Sequence, residues 1–179
     1  MIFAVYLLMA YLVGSIPSGV LLARAMRAAD PRHGDDKKIR AITFVLDFLK
    51  GFLPVIFAYL YWPDDSFPAA IGAFFAVLGH CYSIFLFFQG GKGLAAGAGA
   101  LFPLAPFAML VALAAWGFSY YVFRIKPQAA LIAILSFFGA LFIFGTAPHL
   151  LAVAGACALM MVRRHRADLD GLLAGVVSR

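Results

Sequence analysis

Four long stretches of this chain contain no Asp, Glu, Lys or Arg: residues 1–23, 66–91, 93–123 and 127–162. A transmembrane helix needs about 20 consecutive, mostly apolar residues. Of the 179 residues, 65% are hydrophobic and only 12% are charged, whereas a soluble domain carries about 25% charged residues. The pattern excludes a soluble domain. It predicts an all-α, polytopic integral membrane protein in which residues 1–179 form a single transmembrane domain.

The basic residues lie between the apolar runs and therefore predict the orientation of the chain. Residues 24–40 carry six Lys or Arg residues against three Asp. Cytoplasmic loops are enriched in Lys and Arg, so this loop is expected in the cytoplasm and the N-terminus outside. The net charge of +6 follows from such loops. Aromatic and basic residues are not interleaved on a soluble surface, and no nucleic-acid partner is expected.

Seven membrane segments, N-out and C-in, place every basic loop in the cytoplasm. The fourth segment is short because Pro103 and Pro106 interrupt its apolar run, and proline breaks helices. A single crossing of that run would put Arg124 and Lys126 on the outer side. The predicted segments are 2–23, 41–62, 68–88, 94–102, 107–123, 128–144 and 150–162.

Residues 87–99, "FFQGGKGLAAGAG", place one lysine, Lys92, inside a glycine cluster. Glycine lets backbone N–H groups approach a ligand closely, and lysine supplies a compact cation. The combination favours an anion site, in particular one for phosphate. The alternative is a tight interfacial loop whose lysine extends to the membrane surface. The cluster lacks the spacing and the Ser or Thr of a Walker motif.

Several polar residues lie within the predicted spans. Asp47 and Lys50 are three positions apart, so they share a helix face and can pair. Intramembrane charges usually face a polar interior or a functional site, although a purely structural ion pair is the alternative. His80 is a site candidate or an interhelical hydrogen-bond partner. Ser15, in "GSIPSG", is a site candidate or marks a helix kink.

The C-terminal stretch "RRHRADLDG" follows the last span. His165 and Asp168 are three positions apart and share a face if the helix continues. Arg163, Arg164 and Arg166 are interpreted as topology anchors. The four His residues are scattered along the chain, and no spacing suits a metal. We therefore expect no metal and no cofactor.

The order of "YLVGSIPSG", "LDFLKG", "GHCYSIFLFFQGGKGLA" and "RRHRADLDGLLAG" resembles the bacterial acyl-phosphate-dependent glycerol-3-phosphate acyltransferases, the PlsY family, over almost the whole chain. The resemblance implies a seven-helix enzyme of the bacterial inner membrane. Such an enzyme transfers an acyl chain from acyl phosphate to the 1-hydroxyl of glycerol 3-phosphate, which gives lysophosphatidic acid in phospholipid synthesis. It also implies a partner enzyme that produces acyl phosphate.

Two departures from the family pattern make this a divergent member. The first cytoplasmic loop lacks the family's Gly-Ser-Gly-Asn stretch and the arginine that follows it, which help to cradle phosphate. At the C-terminus, Asp168 occupies the Asn position of the family's Arg-His-x-x-Asn motif. A carboxylate there would repel phosphate unless it is protonated or paired.

The resemblance implies acyl transfer without a protein nucleophile, with positioning and charge neutralisation as the main catalytic effects. Lys92 and the neighbouring glycine N–H groups would hold one phosphate, and Lys50, Arg32 or Arg40 would neutralise the other. The predicted phosphate-binding residues are Gly90, Gly91, Lys92, Gly93, Lys50, Arg32 and Arg40.

The predicted catalytic residues are His165, Lys92 and Asp168, and Ser15 and His80 are further candidates. His165, which matches the motif histidine, would orient or deprotonate the attacking hydroxyl. The alternative function is a non-catalytic membrane paralogue that binds lipid or a phosphorylated metabolite, or acts as a scaffold. A transporter is the weaker third alternative, since no inverted repeat relates the two halves.

Overall fold

The structure is a computed structural model, and it describes residues 1–26 and 37–166. Within these ranges all regular structure is helical, which confirms the all-α prediction. A 3-10 turn spans Ile84–Leu86. The α-helices are α1 (Ile2–Ser15), α2 (Ser18–Ala25), α3 (Lys37–Tyr61), α4 (Ser66–Cys81), α5 (Leu94–Leu101), α6 (Pro106–Phe123), α7 (Lys126–Ile143) and α8 (Pro148–Arg164).

The first apolar run forms two helices that meet at a 45° bend between Ser15 and Ser18. Pro17 lies in the break and has no N–H with which to continue the helical ladder. The "GSIPSG" stretch therefore kinks the first segment, as its Gly, Ser and Pro content predicts. The break leaves the last carbonyls of α1 without helical partners. Two carbonyls at the break accept side-chain hydrogen bonds instead: that of Ser15 from Ser83, and that of Ile16 from Lys50.

The fourth segment is short, as the two prolines predict. Helix α5 has 8 residues, and α6 begins at Pro106, where the missing N–H of proline costs nothing because the first helical turn leaves its N–H groups unpaired. The third segment differs from the prediction, which extended the span to residue 88. Helix α4 ends at Cys81, and the chain then forms the 3-10 turn and an irregular loop. Phe87 and Phe88 both have positive φ in this loop, a conformation that an α-helix does not permit.

Within the described residues, three helical spans are long and apolar enough to cross a membrane by themselves: Lys37–Tyr61, Ser66–Leu86 and Pro106–Phe123. Taken together as one bent span, α1 and α2 are also long and apolar enough to cross a membrane. Large apolar side chains, including Phe57, cover the outer surface, as a lipid-facing surface requires. The chain is a multi-pass integral membrane protein. The N-out, C-in orientation remains a prediction.

Helix α4 is packed by α1, α3, α5 and α8. Its contact with α1 is close because both helices present small residues: a Cβ on Gly14 would overlap the carbonyl group of Ala76. Small residues allow this approach in membranes, where van der Waals packing drives helix association. Helices α6 and α7 pack mainly on each other. They join the remainder through a buried cluster that includes Leu101, Phe137 and Ala154.

Candidate active site

A cavity of ≈ 970 Å³ lies between the helices. One end is polar and the other apolar. Polar and charged residues form the first end: Ser15, Arg40, Asp47, Lys50, His80, Lys92, Arg164 and His165. They come from α1, α3, α4, the loop of residues 90–93 and the C-terminal end of α8. Side chains from α5 to α8 line the second end, including Leu101, Met109, Ala112, Ala133, Phe137 and Ala154. The cavity therefore suits an amphiphilic ligand with a charged head and an apolar tail.

The glycine loop, which we define as residues 90–93, is held against the end of α4. The Gly91 N–H donates to the His80 carbonyl at 3.0 Å. A Cβ on Gly90 would overlap the same carbonyl, and one on Gly91 would overlap the His80 ring. Gly93 has φ +90°, which a residue with a Cβ rarely adopts. Packing or backbone conformation therefore favours glycine at each of these three positions, independently of any role in ligand binding.

The glycine loop is followed directly by α5. The N-terminus of this helix lines the cavity with Gly93, Leu94 and Ala95. No side chain of the described residues caps this end, and its first turn contains no acidic residue. The first helical hydrogen bond runs from the Gly97 N–H to the Gly93 carbonyl at 2.7 Å. The N–H groups before it have no partner within the helix. They give the helix end a partial positive charge that suits an anion.

This arrangement corrects one detail of the predicted phosphate site. The sequence suggested that the Gly91 N–H would contact phosphate, but that N–H is committed to the His80 carbonyl. The first turn of α5 supplies other N–H groups at the same place. Lys92 is exposed and lines the cavity beside this helix end. The loop and the helix N-terminus together concentrate positive potential at the polar end.

The buried charges of α3 form the ion pair that their spacing predicts. Lys50 Nζ lies 2.8 Å from Asp47 Oδ1 and donates to the Ile16 carbonyl, also at 2.8 Å. His80 Nδ1 lies 3.7 Å from the same carboxylate oxygen and has no hydrogen-bond partner within the described structure. Two of the three Lys50 N–H donors are therefore directed to protein acceptors, which leaves one N–H donor, besides the charge, for a phosphate.

Ser15 is fully buried at the end of α1. Its carbonyl accepts a hydrogen bond from Ser83 Oγ at 2.5 Å. Ser15 lines the cavity, but its hydroxyl oxygen is itself buried and lacks a hydrogen-bond partner among the described residues. Buried polar groups are nearly always satisfied, so the Ser15 hydroxyl is an exception to the general pattern.

His165 follows α8 and is buried at the polar end of the cavity. Its Nδ1 lies 2.9 Å from the Met161 carbonyl. Because a carbonyl only accepts hydrogen bonds, Nδ1 carries the proton when the ring is neutral, and Nε2 then carries the lone pair. The hydrogen bond fixes this tautomer and orients the ring. The arrangement leaves the neutral ring able to accept a proton at Nε2.

The structure brings most of the predicted site residues together. Nine line the cavity: Ser15, Arg40, Lys50, His80, Gly90, Gly91, Lys92, Gly93 and His165. Arg32 and Asp168 lie outside the described residues. Arg164, which the sequence predicts only as a topology anchor, bonds to the backbone of the glycine loop. Its position directly before His165 was the available signal.

The fold and the cavity define a multi-pass membrane protein with an internal cavity lined by both charged and apolar side chains. A family model described as glycerol-3-phosphate acyltransferase matches residues 4–175. The glycerol-3-phosphate acyltransferase of Pseudomonas syringae pv. tomato is 37% identical over 93% of this chain and 92% of its own length. That of Campylobacter lari is 38% identical over 76% of this chain and 77% of its own.

Two crystal structures of PlsY, an integral membrane glycerol 3-phosphate acyltransferase, have the same fold. The glycerol 3-phosphate form superposes with a TM-score of 0.90 at 30% identity, covering 98% of this chain and 94% of that one. The lysophosphatidic acid form gives a TM-score of 0.91 at 30% identity, covering 98% and 93%. The chain belongs to the glycerol-3-phosphate acyltransferase family.

Proposed function

We propose that this protein transfers an acyl group from an acyl phosphate to the 1-hydroxyl of glycerol 3-phosphate at the cytoplasmic side of the bacterial inner membrane. The product would be lysophosphatidic acid. The observation that carries the proposal is the continuity of one cavity from the glycine loop to the apolar surfaces of α5 to α8. Both substrates carry phosphate and one also carries an acyl chain, so the reaction needs both environments side by side.

The phosphate groups would bind at the polar end. We assign one of them to the N-terminus of α5 and to Lys92, where helix N–H groups and a cation lie together. Arg40, which is half-buried and lines the cavity, is our candidate for the second. Lys50 would contribute charge from behind the site, reduced by its pairing with Asp47. Arg32 and Asp168 remain assignments made from the sequence alone.

His165 is our candidate general base. The glycerol 3-phosphate hydroxyl would give its proton to His165 Nε2 as the oxygen attacks the acyl carbonyl carbon. A new ester C–O bond forms, the C–O bond to phosphate breaks, and inorganic phosphate leaves with the electron pair. Positive charge from the loop and the helix end would stabilise the oxyanion and the departing phosphate. Neither a covalent acyl-enzyme nor a metal is required by this scheme.

The experiment is direct. Purified protein in detergent or liposomes is incubated with a long-chain acyl phosphate and glycerol 3-phosphate, and lysophosphatidic acid and inorganic phosphate are quantified. We expect the two products in equal amounts, with little product from acyl-CoA as a matched alternative donor. Saturable binding of glycerol 3-phosphate without any product would instead support the non-catalytic paralogue. An acyl-phosphate-producing enzyme would then be no partner of this chain.

A further inference from the structure

Arg164 reaches from the last turn of α8 to the backbone of the glycine loop. Its Nε donates to the Gly91 carbonyl at 3.2 Å, and its Nη2 donates to the Gly90 carbonyl. The guanidinium also lies over the Tyr82 ring, 5.4 Å from its centroid. Arginine suits this position because its planar fork holds several donors in a fixed geometry and stacks on aromatic rings.

We infer that Arg164 is a positioning residue that holds the glycine loop in the conformation that binds phosphate. In a trans peptide, the carbonyl of one residue and the N–H of the next point in opposite directions. With the Gly90 carbonyl turned to Arg164, the Gly91 N–H points away and reaches the His80 carbonyl at 3.0 Å. With the Gly91 carbonyl turned to Arg164, the Lys92 N–H likewise points away. These two hydrogen bonds, which we call the Arg164 clamp, therefore set the direction of two successive peptide groups.

The loop needs this support because glycine is the least restrained residue in the chain. Without Arg164, residues 90–93 would populate conformations in which a carbonyl, rather than an N–H, faces the anion. Apparent affinity falls in proportion to the fraction of molecules in the competent conformation. This inference rests on the proposed phosphate site and deepens it. It assigns Arg164 an effect on phosphate affinity without contact with the phosphate.

The test compares Arg164→Lys and Arg164→Gln with Arg163→Lys and Arg163→Gln. Arg163 is exposed on the same turn of α8, so the pairs match in charge change and location. Lysine keeps the charge but cannot bridge two carbonyls in a fixed plane. Losing one or two hydrogen bonds to the loop corresponds to a rise in KM for glycerol 3-phosphate of about tenfold. We expect this rise in both Arg164 variants, with kcat within about twofold and no change in the Arg163 variants.

The comparison of lysine with glutamine separates positioning from direct binding. A guanidinium that contacts phosphate through its charge would be largely replaced by lysine and not by glutamine. Wild-type affinity in Arg164→Lys, or equal effects at Arg163, would overturn the inference. A variant of the ring beneath the guanidinium gives an independent measurement. Tyr82→Leu should raise KM in the same direction, whereas Tyr82→Phe, which retains the ring, should leave it unchanged.

Binding of inorganic phosphate, measured by calorimetry on the whole protein, separates this inference from the proposed reaction. Weaker phosphate binding in Arg164→Lys than in wild type supports the clamp even if no lysophosphatidic acid forms. Normal turnover with unchanged KM and unchanged phosphate binding in that variant would refute the clamp and leave the reaction standing. If Arg164→Lys does not fold, the Tyr82→Leu and Tyr82→Phe pair decides the question by the same two measurements.

Discussion

Lys50 donates a hydrogen bond to the carbonyl of Ile16, 34 positions earlier in the chain, at 2.8 Å. This contact ties the middle of α3 to the break between α1 and α2. The carbonyl belongs to the part of the first segment that Pro17 removes from the helical ladder. Because no bulk water is available inside a bilayer, a broken helix must find its partners within the protein. Lys50 supplies one of them, and Asp47 balances its charge.

The first prediction is that Lys50→Met lowers stability. The substitution leaves the Asp47 carboxylate without its cation and the Ile16 carbonyl without its lysine donor. Breaking a buried pair from one side costs about 3–5 kcal/mol. Thermal unfolding in detergent should show a clear drop, which Asp47→Asn in the same chain should partly reverse. The control is Lys37→Met at the exposed start of α3. Unchanged stability together with a higher KM for glycerol 3-phosphate would make Lys50 a phosphate ligand instead.

The second prediction concerns Lys92 beside the N-terminus of α5. A hydrogen bond to a charged group contributes about 1.5–3 kcal/mol, so Lys92→Ala should weaken phosphate-ligand binding by about ten- to hundredfold. Lys92→Arg should recover only part of the affinity, because a planar guanidinium differs in shape from a compact ammonium. Titration of glycerol 3-phosphate into the three proteins measures both effects. Full tolerance of arginine, with alanine affecting only membrane expression, would favour an interfacial lysine without an anion.

The third prediction tests the apolar end of the cavity. Ala112 on α6 is buried and lines it, so Ala112→Phe should shorten the acyl chain that fits. We expect the ratio of kcat/KM for a long-chain to a short-chain acyl phosphate to fall about tenfold, the loss that follows when about two methylene groups can no longer be buried. KM for glycerol 3-phosphate should be unchanged. Ala114→Phe, at an exposed position of the same helix, is the matched control. An unchanged ratio would place the acyl chain elsewhere.

The fourth prediction concerns orientation. Asp64 and Gln89 are exposed and lie at opposite ends of the third segment. Single cysteines introduced at these positions should react with an impermeant thiol reagent from opposite sides of the membrane. Asp64 is preferred to Asp65, whose Oδ1 accepts from the Phe67 N–H at 2.9 Å and caps α4. The native Cys81 and Cys157 are buried and should not react. Labelling of both introduced cysteines from the outer side would contradict the seven-segment topology.

Local sequence patterns predicted much of this molecule. Uncharged runs predicted membrane helices because charge is expensive in a bilayer, and Pro103 with Pro106 predicted the short fourth segment because proline cannot continue a helix. The three-residue spacing of Asp47 and Lys50 predicted their pairing, since helical periodicity alone brings them together. Each of these features depends on neighbours within one or two helical turns.

Contacts between distant parts of the chain followed only from the folded arrangement. Helix periodicity cannot show that Lys50 bonds to Ile16, that Arg164 clamps Gly90 and Gly91, or that α4 ends before Phe87. These pairings depend on how helices cross and which carbonyls a break leaves unpaired. Residue type restricted the candidates to cations, glycines and histidines. The tertiary packing selected the partner of each, because hydrogen bonds require donor and acceptor to meet within about 3 Å.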